Sequence, residues 1–301
     1  MKTALIGYGE VGRILAEDLC AQGVEVTAFD LKLHGPGPDA LQAHAAAHGV
    51  VMAASHVQAV AGAELVVSAV TASQTVTVAQ AASAGLVPGA FFLDFNSASP
   101  GAKAQAAQVV NAAGGRYVEG AVMTSLPPYR IRVPLLLGGP EAAALEPLLN
   151  ALGFAARVAS HQLGVASATK MCRSIMIKGL EAMVIESFTT ARHYGVEDAV
   201  IASLQETFPG IDWEKQGAYF FQRVIEHGRR RSEEVREVAQ TVREAGLSPC
   251  SAAGTADRQA HMADLADAGV FGTRGAPGFG RSADWRVEAD RLLADLQRNP
   301  T

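Results

Sequence analysis

The chain has 301 residues, about half of them hydrophobic and few of them aromatic, with a net charge of −5. That length suits two domains better than one, and the acidic balance offers no basic footprint for a nucleic-acid partner. Three scattered cysteines, Cys20, Cys172 and Cys250, give no disulfide framework and point to a reducing compartment.

Residues 2–6 (KTALI) read as a short buried strand, followed at once by Gly7-Tyr8-Gly9-Glu10-Val11-Gly12 and a helix over 13–22. A second strand, 24–29, ends on Asp30. In such a unit the first glycine permits the tight turn, the second lets the backbone approach a pyrophosphate, and the third lets helix and strand pack closely. Asp30 is then placed to accept hydrogen bonds from a ribose hydroxyl, which favours NAD over NADP because a carboxylate repels a 2′-phosphate. Lys32, two residues on, softens that preference if its side chain turns inward.

Further strand-like runs occupy 64–69, 90–95, 116–121 and 133–138, separated by alanine-rich helical stretches such as 74–84 and 102–113. The alternation predicts parallel strands with crossover helices, hence a doubly wound sheet. Ligands of such sheets bind at strand C-termini, where Thr71 and Asn96 stand; each is a candidate cofactor contact or a plain loop residue. After about residue 163 the strand signals vanish. One long helix is expected over 165–194, an amphipathic one over 233–245, a glycine-rich loop over 269–280 and a last helix over 283–297. The expected architecture is an N-terminal doubly wound domain, 1–162, followed by an all-helical domain, 163–301.

No run is apolar enough to span a bilayer, and Met1 leads directly into a strand, so a cytoplasmic protein is expected. Neither CxxC nor HExxH is present, and no metal is expected. Lys170 lies among small and apolar residues, GVASATKMC, near the start of the long helix. Desolvation there favours a neutral amine able to exchange protons with a hydroxyl or carbonyl, the alternative being a lysine that simply points to solvent. Ser174 and Lys178 follow at helical spacing on the same side. Arg223, His227 and Arg230 or Arg231 could present positive charge to a carboxylate or phosphate, as could Arg130 and Arg132, although the 229–231 cluster, followed by Glu233 and Glu234, is read first as a solvated helix face. The remaining histidines are read as surface residues.

These motifs resemble those of the β-hydroxyacid dehydrogenase superfamily, which includes 3-hydroxyisobutyrate and 6-phosphogluconate dehydrogenases. The resemblance covers nearly the whole chain. Its second half is similar to a branch with a phosphogluconate-dehydrogenase-like C-terminal domain of unassigned function. GYGEVG with Asp30 matches the cofactor fingerprint, and Asp94-Phe95-Asn96-Ser97-Ala98-Ser99-Pro100 matches the segment near the nicotinamide. Residues 119–125 (EGAVMTS) align with the substrate-binding D-A-P-V-S-G-G. Gly164 to Lys170 aligns with the G-x-G-x-x-x-K that carries the catalytic lysine.

The departures are Met123-Thr124-Ser125 in place of Ser-Gly-Gly, Ala166 in place of a glycine, and Ser174 where asparagine is frequent. They fall at substrate contacts and leave the cofactor unit intact. The resemblance implies an NAD-dependent dehydrogenase of a small carboxylate-bearing hydroxy acid. Lys170 would be its acid–base, with Asn96, Ser97, Met123, Thr124, Ser125, Ser174, Lys178 and His227 around the substrate. It also implies a homodimer, and decarboxylation where the product is a β-keto acid. Two rival readings are an imine reductase, whose relatives usually carry Asp or Tyr at the lysine position, and a non-catalytic dinucleotide-binding protein.

Overall fold

A computed structural model describes residues 1–35 and 38–298. They divide into two compact units, Met1–Cys172 and the residues from Arg173 onward. The first unit begins with β1 (Lys2–Ile6), α1 (Glu10–Ala21), β2 (Glu25–Phe29), α2 (Pro38–Ala47), β3 (Val51–Met52) and α3 (His56–Val60). It continues through β4 (Leu65–Ser68), α4 (Thr75–Ser83), β5 (Phe91–Asp94), α5 (Pro100–Ala112) and β6 (Arg116–Val122). The last elements before the long helix are β7 (Pro134–Gly138), α6 (Ala142–Ala151) and β8 (Ala155–Ser160).

The strands form one eight-stranded sheet in the order β3-β2-β1-β4-β5-β6-β7-β8. Alternate residues along each strand feed two separate cores. Leu5, Val67, Leu93, Val118, Leu135 and Leu137 pack on one face against Leu15 and Leu19 of α1 and Leu145 and Leu149 of α6. Ile6, Val66, Phe92 and Tyr117 pack on the other against Val60, Val78, Ala79, Ala106 and Val110. Burial on both faces explains why the central strands read as continuous apolar runs.

The pairing is parallel except between β6 and β7, which run antiparallel. Purely parallel strands were the expectation. The difference arises because only a turn through Pro127-Pro128 and a short 3-10 segment, Arg130–Arg132, joins β6 to β7. Without a crossover helix the chain can only return antiparallel. β3 and β8 have no counterpart among the expected strands. Both are edge strands; β3 has two residues and β8 (AARVAS) is half exposed, so neither carries an apolar run.

At the C-terminal end of β5 sits a fully buried ion pair, Lys103 Nζ to Asp94 Oδ1 at 2.9 Å. Lys103 also donates to the carbonyls of Asp94 (2.8 Å) and Gly120 (3.4 Å), which employs all three ammonium protons. Asp94 accepts in addition from the Tyr117 hydroxyl (2.6 Å) and the Asn96 N–H (2.9 Å). Burial, followed by the Asp94 charge, holds the Tyr117 phenol far above its ordinary range, so it remains a donor.

The long helix α7 (Val165–Tyr194) appears as expected and carries the division between the units. The second unit adds α8 (Glu197–Thr207), α9 (Trp213–Glu244), α10 (Cys250–Asp267) and α11 (Trp285–Arg298). The amphipathic stretch 233–245 is therefore the last part of a 32-residue helix. Phe188, Phe221, Val224, Ile225, Met262 and Trp285 make its core. Phe271 and Phe279 of the glycine-rich loop are buried in the same cluster, and Arg274 donates to the Glu226 carbonyl; the loop is anchored to its own unit.

The reading of Arg229–Arg231 as a solvated face holds for two of the three. Arg229 and Arg230 are exposed, but Arg231 is buried and paired with Glu181 of α7. A buried guanidinium is tolerated only against such a carboxylate.

Replacing Lys103 by Met leaves the Asp94 carboxylate buried without its counter-ion. The expected loss is about 3–5 kcal/mol of unfolding free energy, read from urea denaturation followed by circular dichroism.

Candidate functional site

Strand order reverses between β1 and β4, and the turn from β1 into α1 lies at that switch point, where open α/β sheets bind ligands. Gly7 has φ +95°, and a Cβ there would stand 2.4 Å from the Ala69 carbonyl oxygen just after β4. At Gly12 a Cβ would lie 2.0 Å from the Gly7 carbonyl oxygen, so helix and turn touch backbone to backbone. Gly9 differs from both: it is the N-cap of α1 with no side-chain cap, and nothing lies within 4 Å of where its Cβ would be. The first amides of α1, at Glu10, Val11 and Gly12, are thus left for an external anion, an arrangement that fits a dinucleotide pyrophosphate.

Asp30 fixes this turn from β2. Its Oδ2 accepts from the Tyr8 N–H at 2.7 Å and its Oδ1 from the Lys32 N–H at 2.9 Å. Each oxygen keeps a second lone pair with which to accept a ribose hydroxyl. The Tyr8 side chain points into the core, with its hydroxyl 3.0 Å from His44 Nδ1, and burial pushes its phenol up to about 12. Tyr8 therefore serves the turn through its backbone. His44, read as a surface histidine, is half-buried between Tyr8 and Glu17.

Asn96 is buried and ties two strand ends together. Its Oδ1 accepts from the Val70 N–H (2.8 Å) and its Nδ2 donates to Ser68 Oγ (3.0 Å). The next residue, Ser97, accepts a 2.6 Å hydrogen bond from Lys170 Nζ. The lysine and the segment after β5 are thus brought together, across a sequence separation of 73 residues. Thr71 is exposed and caps nothing.

Lys170 owes its place to the first residue of the 119–125 segment, which was not among the expected site residues. Glu119, fully buried on β6, accepts from the N–H groups of Gly164 (2.8 Å) and Ala166 (3.0 Å) through Oε1, and from the Ser167 hydroxyl (2.7 Å) through Oε2. A carboxylate on the N-terminus of α7 satisfies its orphan amides and opposes its dipole. A Cβ on Gly138 would stand 2.2 Å from Glu119 Oε1, so the neighbouring strand must be bare there. The signal available in the sequence is a lone acid inside the apolar strand RYVEGAV, since a buried carboxylate needs partners.

Met123 packs beside Ala121, Leu136 and Ala166. Thr124 is exposed and Ser125 half-buried. Ser174, Lys178 and His227 belong to the second unit. There Lys178 is buried with its ammonium 2.6 Å from Glu234 Oε2, and desolvation draws its pKa down. His227 is half-buried on α9. Arg223 and Arg231 face Glu181, Arg230 pairs with Glu234, and Arg130 with Glu17 and Asp18, so acids within the chain already occupy these guanidinium groups.

Residues 2–161 match the NAD binding domain of 6-phosphogluconate dehydrogenase, and residues 191–262 a domain of unknown function (DUF1932). The chain belongs to the 6-phosphogluconate dehydrogenase-like family, within the β-hydroxyacid dehydrogenase superfamily.

A conserved hypothetical protein from Sinorhizobium meliloti 1021 is 34% identical over 98% of this chain and 96% of its own, with a TM-score of 0.76. The 3-hydroxyisobutyrate dehydrogenase of Mycobacterium tuberculosis, determined with L-serine, shares the fold at 18% identity, covering 97% of this chain and 98% of its own, with a TM-score of 0.67. An imine reductase from Streptomyces aurantiacus does so at 20% identity, 97% and 99% coverage and a TM-score of 0.54. Among the described residues no helix is long and apolar enough to cross a membrane.

Gly138→Ala adds one methyl group and must displace Glu119. Exchange of the Gly164 and Ala166 amides is expected to quicken by roughly tenfold or more, measured by hydrogen exchange with mass spectrometry.

Proposed function

We propose that the protein is an NAD-dependent oxidoreductase of a small carboxylate-bearing hydroxy acid, with Lys170 as its acid–base. The observation that carries this reading is the 2.6 Å contact of Lys170 Nζ with Ser97 Oγ, beside the strand ends that abut the glycine turn. A continuous run of contacts links the two: Gly7 lies against Ala69, Val70 is bonded to Asn96, and Ser97 follows. The L-serine in the tuberculosis structure carries a hydroxyl and a carboxylate, the two groups of the proposed substrate class.

A bound nicotinamide supplies the hydride acceptor. Glycines 7, 9 and 12 with the first amides of α1 hold the pyrophosphate, and Asp30 accepts from the adenosine ribose. In oxidation Lys170 takes the substrate's hydroxyl proton; in the reverse direction its ammonium returns it. Ser97 orients that amine and, as both donor and acceptor, bridges it to the substrate oxygen. When the product is a β-keto acid, the protonated lysine polarises the carbonyl and favours loss of carbon dioxide. Thr124 and Ser125 offer hydroxyls to the carboxylate. Two exposed methionines on α7, Met176 and Met183, at 71% and 61% exposure, support a homodimer formed through the helical unit.

A second reading, imine reduction, draws support from the imine reductase fold neighbour. A panel of hydroxy acids and cyclic imines followed by nicotinamide absorbance separates the two, and turnover of imines alone would overturn the proposal.

Lys170→Ala is expected to lower kcat by about 10²–10⁴-fold while NAD affinity, measured by calorimetry, stays unchanged; undiminished turnover would exclude the mechanism. Asp30→Asn is expected to weaken NAD binding by roughly tenfold and to narrow its advantage over NADP, because the charge that repels a 2′-phosphate is gone. Parallel titrations with both nucleotides read this directly.

A further inference from the structure

Helices α1 and α2 bring together three groups of one coordination type. Glu17 comes from α1, His44 from the last turn of α2, and His48 from the turn just beyond that helix's end. Their donor atoms all lie within 4.8 Å of one another. His44 Nε2 is 2.9 Å from Glu17 Oε1, and the two imidazole rings are 4.6 Å apart, centre to centre. We propose that Glu17, His44 and His48 form a binding site for a divalent transition-metal ion of the zinc class.

Two imidazoles and one carboxylate make a donor set suited to zinc, and the fourth tetrahedral position would be left to water. Metal–ligand bonds of about 2.0–2.2 Å in a tetrahedron place neighbouring donor atoms roughly 3.3 Å apart. The observed 2.9 Å between His44 and Glu17 therefore needs to open only slightly. His48 is exposed, so its ring can close on the ion from the solvent side.

The outer shell is already built. Glu17's second oxygen, Oε2, is held by Arg130 Nη2 at 2.7 Å, and the second ring nitrogen of His44 lies 3.0 Å from the Tyr8 hydroxyl. Metal-binding histidines and carboxylates are ordinarily braced in this way by a partner on the far atom. Ligation through His44 Nε2 displaces the proton that this nitrogen shares with Glu17, and the ring proton of the ligating imidazole then sits on Nδ1, where it is donated to the Tyr8 oxygen. Because Tyr8 is the second residue of the glycine turn, an ion at this site would brace that turn from below.

The test is calorimetric titration of zinc chloride into the tag-free full chain carrying Cys172→Ser and Cys250→Ser, which removes the exposed thiols. One equivalent is expected to bind. Affinity should fall by roughly tenfold or more in His48→Ala and in Glu17→Gln, and stay unchanged in His161→Ala, an exposed histidine elsewhere. Zinc should raise the melting temperature of the parent and not that of His48→Ala. Failure of the parent to bind zinc overturns the proposal, as does undiminished binding by His48→Ala.

Discussion

The Asp94–Lys103 ion pair at the end of β5 is the constraint on which the rest of the first unit depends. Removing two charges from water costs several kcal/mol for each ion, and only a complete set of partners offsets that. Here the set is complete: Lys103 spends its protons on Asp94 and two carbonyls, and Asp94 takes up Tyr117 and the Asn96 amide. The result is a rigid corner at the crest of the sheet. Asn96 extends it sideways to Ser68 and Val70 on β4 and beyond, which locks the segment holding Ser97 against the strand that abuts the glycine turn.

A second buried acid carries the order across to the helix bearing Lys170. Glu119 is the register partner of Asp94 on the neighbouring strand, and it receives the first amides of α7. Two carboxylates side by side in the sheet thus hold the two sides of the candidate site. Asp94 fixes the loop of Ser97, and Glu119 fixes the start of the helix that ends its second turn near Lys170. Neither carboxylate touches a substrate in this scheme; both act by removing freedom from groups that do.

The helical unit handles buried charge by the same rule. Lys178 meets Glu234, and Arg231 meets Glu181 with Arg223 nearby. These pairs join α7 to α9 inside the unit. Of the positive side chains that spacing alone would offer to an anionic ligand, Lys178, Arg223 and Arg231 are engaged with acids of a different helix, and Arg230 with Glu234 of its own.

Local chemistry made much of this legible. Gly7, Gly9 and Gly12 with Asp30 announce a dinucleotide turn because each glycine meets a local steric demand. The helix 165–194 is readable from its periodicity, and the doubly wound sheet from alternating apolar runs. The edge strands β3 and β8, the reversal at β7 and the helices α8 and α10 were not legible, since they depend on what packs beside them.

Local patterns alone specify the glycine turn, the change from strand–helix alternation to helices and the candidacy of Lys170. The meeting of Ser97 with that lysine, the capping of its helix by Glu119 and the pairing of His44 with Glu17 emerge from the folded chain. Each of these joins residues dozens of positions apart, whose pairing is set by strand order and helix packing rather than by any local pattern.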